Sequence, residues 1–245
     1  MAFVALYFCR VISYGENLLS GVRYLYSRRI RNLIYPKMKE YRLDSADFIK
    51  CLFIDFLLSR NEDLIIGNEV MYGTKRKVVD LINIHNEKIT AIEIKSNNDN
   101  LNRIQDQVEE YKKIFNFVII VTTSKFKDKI LEHTSNDVGI YIVNDDLSIS
   151  LIRRPMVQKK RIKLEMLYSI NTKYLIKQGY TSCKTCDSDG IRLLYAKKRI
   201  SFIQEILVSY WRLKYQHKFK QFLDERGKLS NIEDLSILSS SFQIE

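Results

Sequence analysis

Proline and glycine are scarce, at 2 and 8 of 245 residues, which excludes collagen-like and low-complexity architecture. Cysteine is too sparse for a disulfide framework: Cys9, Cys51, Cys183 and Cys186 in a chain this long point to a reducing, cytoplasmic home. Cys183 and Cys186 have zinc-knuckle spacing, but no second pair exists, so they read as two thiols in a polar loop. Of the three histidines, His85 and His133 fall at a turn and a helix end with no Ser or Cys partner nearby, which argues against a hydrolytic triad. Long apolar runs are missing as well. The opening run Ala2–Cys9 stops at Arg10, far short of the roughly 20 residues of a membrane span, and it has no basic lead for a signal peptide. No membrane partner is expected. Neither G-x-x-x-x-G-K-[ST] nor G-x-G-x-x-G occurs, so the familiar nucleotide-cradling loops are excluded.

Acidic residues are in deficit, 29 against 40 Lys and Arg, for a net charge of +11. The excess is uneven. Residues 156–245 carry 17 basic and 9 acidic side chains, and residues 10–42 carry 8 and 2. Basic flanks around a nearly neutral middle suggest polyanion-binding arms on a central unit.

The hydrophobic pattern divides the chain into three. Residues 1–60 read as a helical N-terminal segment: Leu18, Leu19, Val22, Leu25 and Tyr26 recur at helical spacing, and after Pro36 a second helix capped by Asp44 or Ser45 buries Phe48, Ile49, Leu52, Phe53, Phe56 and Leu57. Residues 61–155 read as three β-branched strands (64–72, 77–85, 89–96), a helix over 99–115, a strand over 117–123, a helix over 125–133, then strands at 138–143 and 148–152. Antiparallel strands followed by crossover helices imply an α/β fold, a mixed central sheet flanked by helices. Pro155 closes the unit, and residues 156–245 read as a basic helical appendage, with helices over 163–178 and 199–226, a loop at 181–190 and a weakly ordered tail from Asn231. In the last long helix Trp211 and Tyr215 are expected to pack, while Arg212 and Lys214 face phosphates.

Chemistry gathers in the middle. A hairpin with the loop His85–Lys88 pairs Ile84 with Ile89, and carrying that register outward sets Asp80 opposite Glu93. Alternation puts Lys95 on the Glu93 face, while Ile92 and Ile94 turn away. Two carboxylates this close are unfavourable without a cation between them, and carboxylates with water and substrate phosphate are what Mg2+ accepts. Lys95 is placed to hold or deprotonate an attacking water. Asp99, Arg103, Gln107 and Tyr111 recur every four residues and form one polar stripe on the next helix.

Asp80 followed by Glu93, Ile94 and Lys95 resembles the signature of PD-(D/E)XK nucleases, and Gln107-x-x-x-Tyr111 is similar to the Q-x-x-x-Y element of their RecB-like branch. The wider pattern of Glu69, Asp80, Glu93, Lys95, Ser96, Asp99, Leu101, Arg103, Gln107 and Tyr111 resembles a poorly characterised bacterial group within that superfamily. The resemblance implies a restriction-endonuclease-like fold and a nuclease in which Asp80, Glu93 and the Ile94 carbonyl bind Mg2+, with Mn2+ as substitute, and Glu69 is an extra acid. Lys95 would be the catalytic lysine, and Gln107 and Tyr111 would orient water or substrate. Ser96, Arg103, Lys159, Lys160 and Arg161 are the expected nucleic-acid contacts. DNA is the expected substrate, with RNA open, and a second copy or an operon neighbour the expected protein partner; restriction, phage defence or repair would be the setting. The alternative is a catalytically silent nucleic-acid-binding or interaction protein on the same scaffold, since Val78 stands where the family carries a basic residue.

Overall fold

The structure, a computed structural model, describes residues 42–61, 63–179 and 187–239. The expected helix around residues 18–26, nearly all of the basic block at 10–42, and Cys183 and Cys186 lie outside them. From Arg42 onward the chain forms one compact unit, which holds both the expected sheet segment and the helices after it.

Helix α1 (Ala46–Leu58) opens on Ser45, whose hydroxyl accepts from the Phe48 N–H at 3.2 Å. Its apolar face packs over the middle of the sheet, where Phe53 meets the edge of Tyr141 at 5.2 Å. Strands β1 (Ile65–Tyr72), β2 (Lys77–His85) and β3 (Lys88–Lys95) pair antiparallel. Helix α2 (Ile104–Lys112) crosses to β4 (Phe117–Thr123), and α3 (Lys127–His133) crosses to β5 (Gly139–Val143), so β3, β4 and β5 run parallel. Strand β6 (Ile149–Arg153) returns antiparallel at the edge. The six strands lie in sequence order in one mixed sheet flanked by helices, as the strand and helix pattern implies. The almost wholly buried β4 shows why its sequence is an unbroken apolar run: it sits in the interior of the sheet with strands on both sides.

The remaining helices are α4 (Lys163–Tyr168), α5 (Thr172–Lys177), α6 (Ser188–Ala196), α7 (Ile200–Glu225) and α8 (Leu235–Leu238). Helix α7 lies over β1. Gly67 makes that approach possible, since a Cβ there would meet the Tyr215 ring at 2.9 Å. Trp211 stacks on Phe115 with centroids 5.5 Å apart, and both Trp211 and Tyr215 are buried, so these two helix rings pack as expected.

Five expectations need correcting. The hairpin turn is two residues, not four: Asn86 and Glu87 both take left-handed φ angles (48° and 56°), and His85 pairs with Lys88. The helix expected from Asp99 starts only at Ile104, because the Asp99 carboxylate accepts from both the Ser96 N–H and hydroxyl at 2.7 Å and holds a turn there. The helix expected over 163–178 breaks into α4 and α5, where the Asn171 side chain caps a fresh start by accepting from the Lys173 N–H at 2.8 Å. Part of the expected loop at 181–190 is helical, with Asp187 capping α6, and the tail is anchored as far as residue 239. There Leu235 and Leu238 are buried, and the Asn68 amide donates to the Leu235 carbonyl and the Ser239 hydroxyl at 3.3 and 3.0 Å.

Candidate functional site

The β2–β3 ladder runs from His85↔Lys88 to Leu81↔Ile92, in the register expected from the sequence, and stops one pair short of Asp80 and Glu93. Beyond that point the Asp80 carboxylate itself accepts the Ile94 N–H, at 2.7 Å. The β1–β2 ladder is interrupted at the same level. It steps from Asn68↔Leu81 to Val70↔Val79 and leaves Glu69 facing Asp80, with a φ of 51°. A left-handed non-glycine residue costs on the order of 1–3 kcal/mol and persists only where its surroundings hold it. Glu69, Asp80 and Glu93 thus occupy one row across three neighbouring strands.

Glu93 is the buried member of the row, 2% exposed. Its Oε1 accepts from the Lys95 ammonium and the Gln107 amide, each at 2.6 Å, and its Oε2 accepts from the Tyr111 hydroxyl. Four residues apart on α2, Gln107 and Tyr111 reach the same carboxylate, so the Q-x-x-x-Y spacing is a two-point clamp on Glu93. Burial, the Glu93 charge and that hydrogen bond push the Tyr111 phenol far above its ordinary pKa, which keeps it a donor. Burial, joined by the charge of Glu93, pushes Asp80 up to about 7; the Ile94 N–H, Lys50 and Lys95 oppose the rise.

Lys50 is the functional residue that sequence reasoning missed. It sits on α1, only 5% exposed, donating to Glu69 and lying 3.4 Å from Asp47. Burial alone would lower its pKa, but the bond to Glu69 and the charges of Asp80, Glu69 and Asp47 hold it above the ordinary value. A signal was present: Lys50 is the one cation inside the apolar run Phe48–Leu58.

The remaining expected residues are dispersed. Ser96 is buried and committed to Asp99. Arg103 precedes α2 on the exposed surface. Lys159 and Lys160 are exposed, but Arg161 turns inward and donates to Gln204, and burial lowers its pKa. Arg212 pairs with Glu87 at 2.8 Å instead of standing free. Glu69 shares the row of Asp80 and Glu93, but its carboxylate is engaged by Lys50. Among the described residues no group of three or more His, Cys, Asp or Glu is arranged to hold a metal ion. The donors that do meet, two carboxylates without thiolate or imidazole, suit a hard cation that keeps water and substrate oxygens in its shell. A divalent ion between Asp80 and Glu93 would offset the Glu93 charge that adds to burial in raising Asp80.

A family model described as bacteriophage P4 protein cII matches residues 39–239, a span that holds the whole acid centre. Protein cII of Enterobacteria phage P4 is 28% identical over 206 residues, 79% of this chain and 77% of that protein. Among solved structures, the chain is similar to the SPO1766 protein of unknown function from Silicibacter pomeroyi. That likeness has a TM-score of 0.35 and 16% identity over 54% of this chain and 81% of the other, too slight to support an argument.

Proposed function

The chain belongs to the bacteriophage P4 protein cII family, and from its acid centre we propose that it is a metal-dependent nuclease of PD-(D/E)XK type that hydrolyses phosphodiester bonds in DNA. The observation that carries this reading is the convergence on Glu93 of Lys95, Gln107 and Tyr111 beside Asp80. These are the residue types of the nuclease signature, meeting in space across two strands and a helix.

In this reading Asp80, Glu93 and the Ile94 carbonyl would hold Mg2+, or Mn2+ in its place, which would supply Lewis-acid stabilisation of charge on the phosphodiester. The chain's own residues do the rest. Gln107 and Tyr111 fix the Glu93 carboxylate so that it cannot rotate away. The Ile94 N–H does the same for one Asp80 oxygen. The Lys95 ammonium, beside that carboxylate, would orient the attacking water and balance the charge that develops on the phosphate oxygens, the water's proton passing to a phosphate oxygen or to solvent. Purified protein with Mg2+ or Mn2+ should cut DNA, with RNA assayed in parallel, and Asp80→Asn and Lys95→Ala should stop cutting without loss of fold. Retained cleavage in both variants would end the proposal.

A second reading has its own observation: the Glu93 carboxylate is already satisfied by three protein donors, and among the described residues no group of three acids is arranged to hold a metal. Such a centre also serves as a structural staple in a nucleic-acid-binding protein without turnover. Titration calorimetry separates the two. A Mg2+ signal that vanishes in Glu93→Gln supports the nuclease, and binding of DNA with no metal signal supports the silent scaffold.

A further inference from the structure

Beyond Glu69 the sheet edge opens into a cleft of about 720 Å3. One wall is the β1–β2 turn and the other is built from α4, α5, α6 and α7. The turn is pinned in place. The Gly73 N–H donates to the Ser169 hydroxyl, and the Thr74 N–H and hydroxyl donate to the Glu165 carboxylate, all at 2.9 Å. Gly73 is required there, because its φ is 67° and a Cβ would meet a Glu165 oxygen at 2.8 Å. The walls are therefore set before any ligand arrives.

The lining has two kinds of chemistry. Arg76, Lys173, Arg192 and Lys214 supply four cations from four separate elements; the lining acid Glu69 is already engaged by Lys50, and Arg192 is partly balanced by the exposed Asp189 at 3.4 Å. Lys214 is the telling member. Burial lowers its pKa, and among the described residues no carboxylate lies within ion-pair distance; its ammonium sits 5.2 Å from the Tyr215 ring centroid. An unpaired, partly desolvated ammonium is unfavourable unless an anion completes it. The second kind is aromatic. Tyr168 lies under the Arg192 guanidinium at 4.5 Å, and Tyr210 and Tyr215 form the floor on α7. Tyr210 and Tyr215 are buried and stiffen the floor, so the groups that face the opening are chiefly cationic and suit a chain of phosphates. The volume falls in the range of about 300–1,000 Å3 that encloses a small ligand and is too narrow to admit a duplex.

We propose that this cleft binds a phosphate-bearing single strand of nucleic acid, its phosphates on Lys214, Arg192, Lys173 and Arg76, and delivers it past Glu69 to the acid centre. The delivery rests on the nuclease reading; the binding does not. It points to a frayed end, a flap or a single-stranded stretch as the substrate.

Anisotropy of a fluorescent 5′-phosphorylated oligothymidylate, measured in EDTA on the full chain, tests binding without cleavage. The wild type should bind the strand at least tenfold tighter than a blunt duplex of equal length. Lys214→Gln with Arg192→Gln should weaken strand binding by tenfold or more and flatten its salt slope by about 0.7 per lost phosphate contact. Should that variant misfold by circular dichroism, the exposed pair Arg76→Gln and Lys173→Gln serves instead, with a severalfold loss expected. Wild-type affinity in a folded cleft variant would overturn the proposal, and so would duplex binding as tight as strand binding. Polyglutamate that competes as well as the oligonucleotide would also overturn it, by showing a general anion site. Strand binding that needs the cleft in a protein that cuts nothing would support the cleft and count only against the nuclease.

Discussion

The acid centre and the cationic cleft meet at Glu69 yet treat charge in opposite ways. At the acid centre every charged group has a protein partner: Glu93 has Lys95, Gln107 and Tyr111, Asp80 has the Ile94 N–H, and Glu69 has Lys50. In the cleft Lys214 has a ring beside it and no carboxylate among the described residues. The difference follows from depth. A charge as buried as Glu93 cannot wait for a ligand, since an unpaired ion there costs several kcal/mol, whereas a cation on a cleft wall stays hydrated until an anion displaces the water. The centre therefore holds its geometry in advance, whereas Lys214 takes its counter-charge from what the cleft binds.

The sharpest way to break the comparison is to remove the partners at the centre. Lys95→Ala should lower DNA cleavage by about 10²–10³-fold or more, as for loss of a group aimed at developing charge, with strand binding in EDTA unchanged. Single-turnover rates at saturating DNA are the measurement. A Lys95→Ala protein that cuts at the wild-type rate would place the chemistry elsewhere.

Next in size is the pH dependence of stability without metal. Asp80 is raised to about 7 from an ordinary 3.8, so the folded protein binds this proton more tightly than the unfolded chain does. Its contribution is fully present below the unfolded value and is lost as pH rises through the folded one. Urea unfolding in EDTA should thus show stability falling by on the order of 2–4 kcal/mol between about pH 5 and about pH 8.5. Asp80→Asn should flatten that profile. Saturating Mg2+ should flatten it too, by offsetting the Glu93 charge.

Lys50 joins the two regions, so its removal sharpens both. Lys50→Met keeps the volume and leaves Glu69 without its partner at the cleft mouth. Expected losses are about 1–2 kcal/mol of stability, from a charged hydrogen bond between a buried and a half-exposed group, and a severalfold weaker strand affinity from the freed negative charge. Unchanged strand affinity would show that the mouth of the cleft is not on the path of the nucleic acid.

What was legible in the sequence tracks how local the cause is. The β2–β3 register could be read because alternating apolar residues admit one register only; a slip by one residue would send Ile82 and Ile84 to the other face. That alone sets Asp80 opposite Glu93, although the turn proved two residues tighter. The Gln107 and Tyr111 clamp was legible as a helical repeat, yet its first two members were not on the helix, because Asp99 spends its carboxylate on Ser96. Lys50 was not read as part of the site, since its partner Glu69 lies 19 residues on, in another element. The cleft was illegible for the same reason: its cations come from a turn and three helices, and the first turn of one of them, α6, has the polar composition of a loop. Arg161 shows the converse error. Three basic residues in a row read as one patch, whereas the fold separates them.

That separation gives the smallest and cleanest test. Lys159 and Lys160 are exposed on the segment leading into α4, while Arg161 donates inward to Gln204, which in turn donates to the Asn116 side chain at 2.8 Å. The three should respond differently to neutralisation. Lys159→Gln with Lys160→Gln should leave stability within about 0.5 kcal/mol, as for surface changes. If both lysines touch phosphate, the salt slope for duplex DNA should flatten by up to about 1.8, at 0.9 per contact. Arg161→Gln should leave the slope untouched and cost about 1–3 kcal/mol of stability, because it strips a charged donor from a buried amide network. Salt titrations beside urea midpoints for the two variants read both effects. A slope change in Arg161→Gln would mean that this guanidinium swings outward when nucleic acid binds, and the basic run would then act as one patch after all.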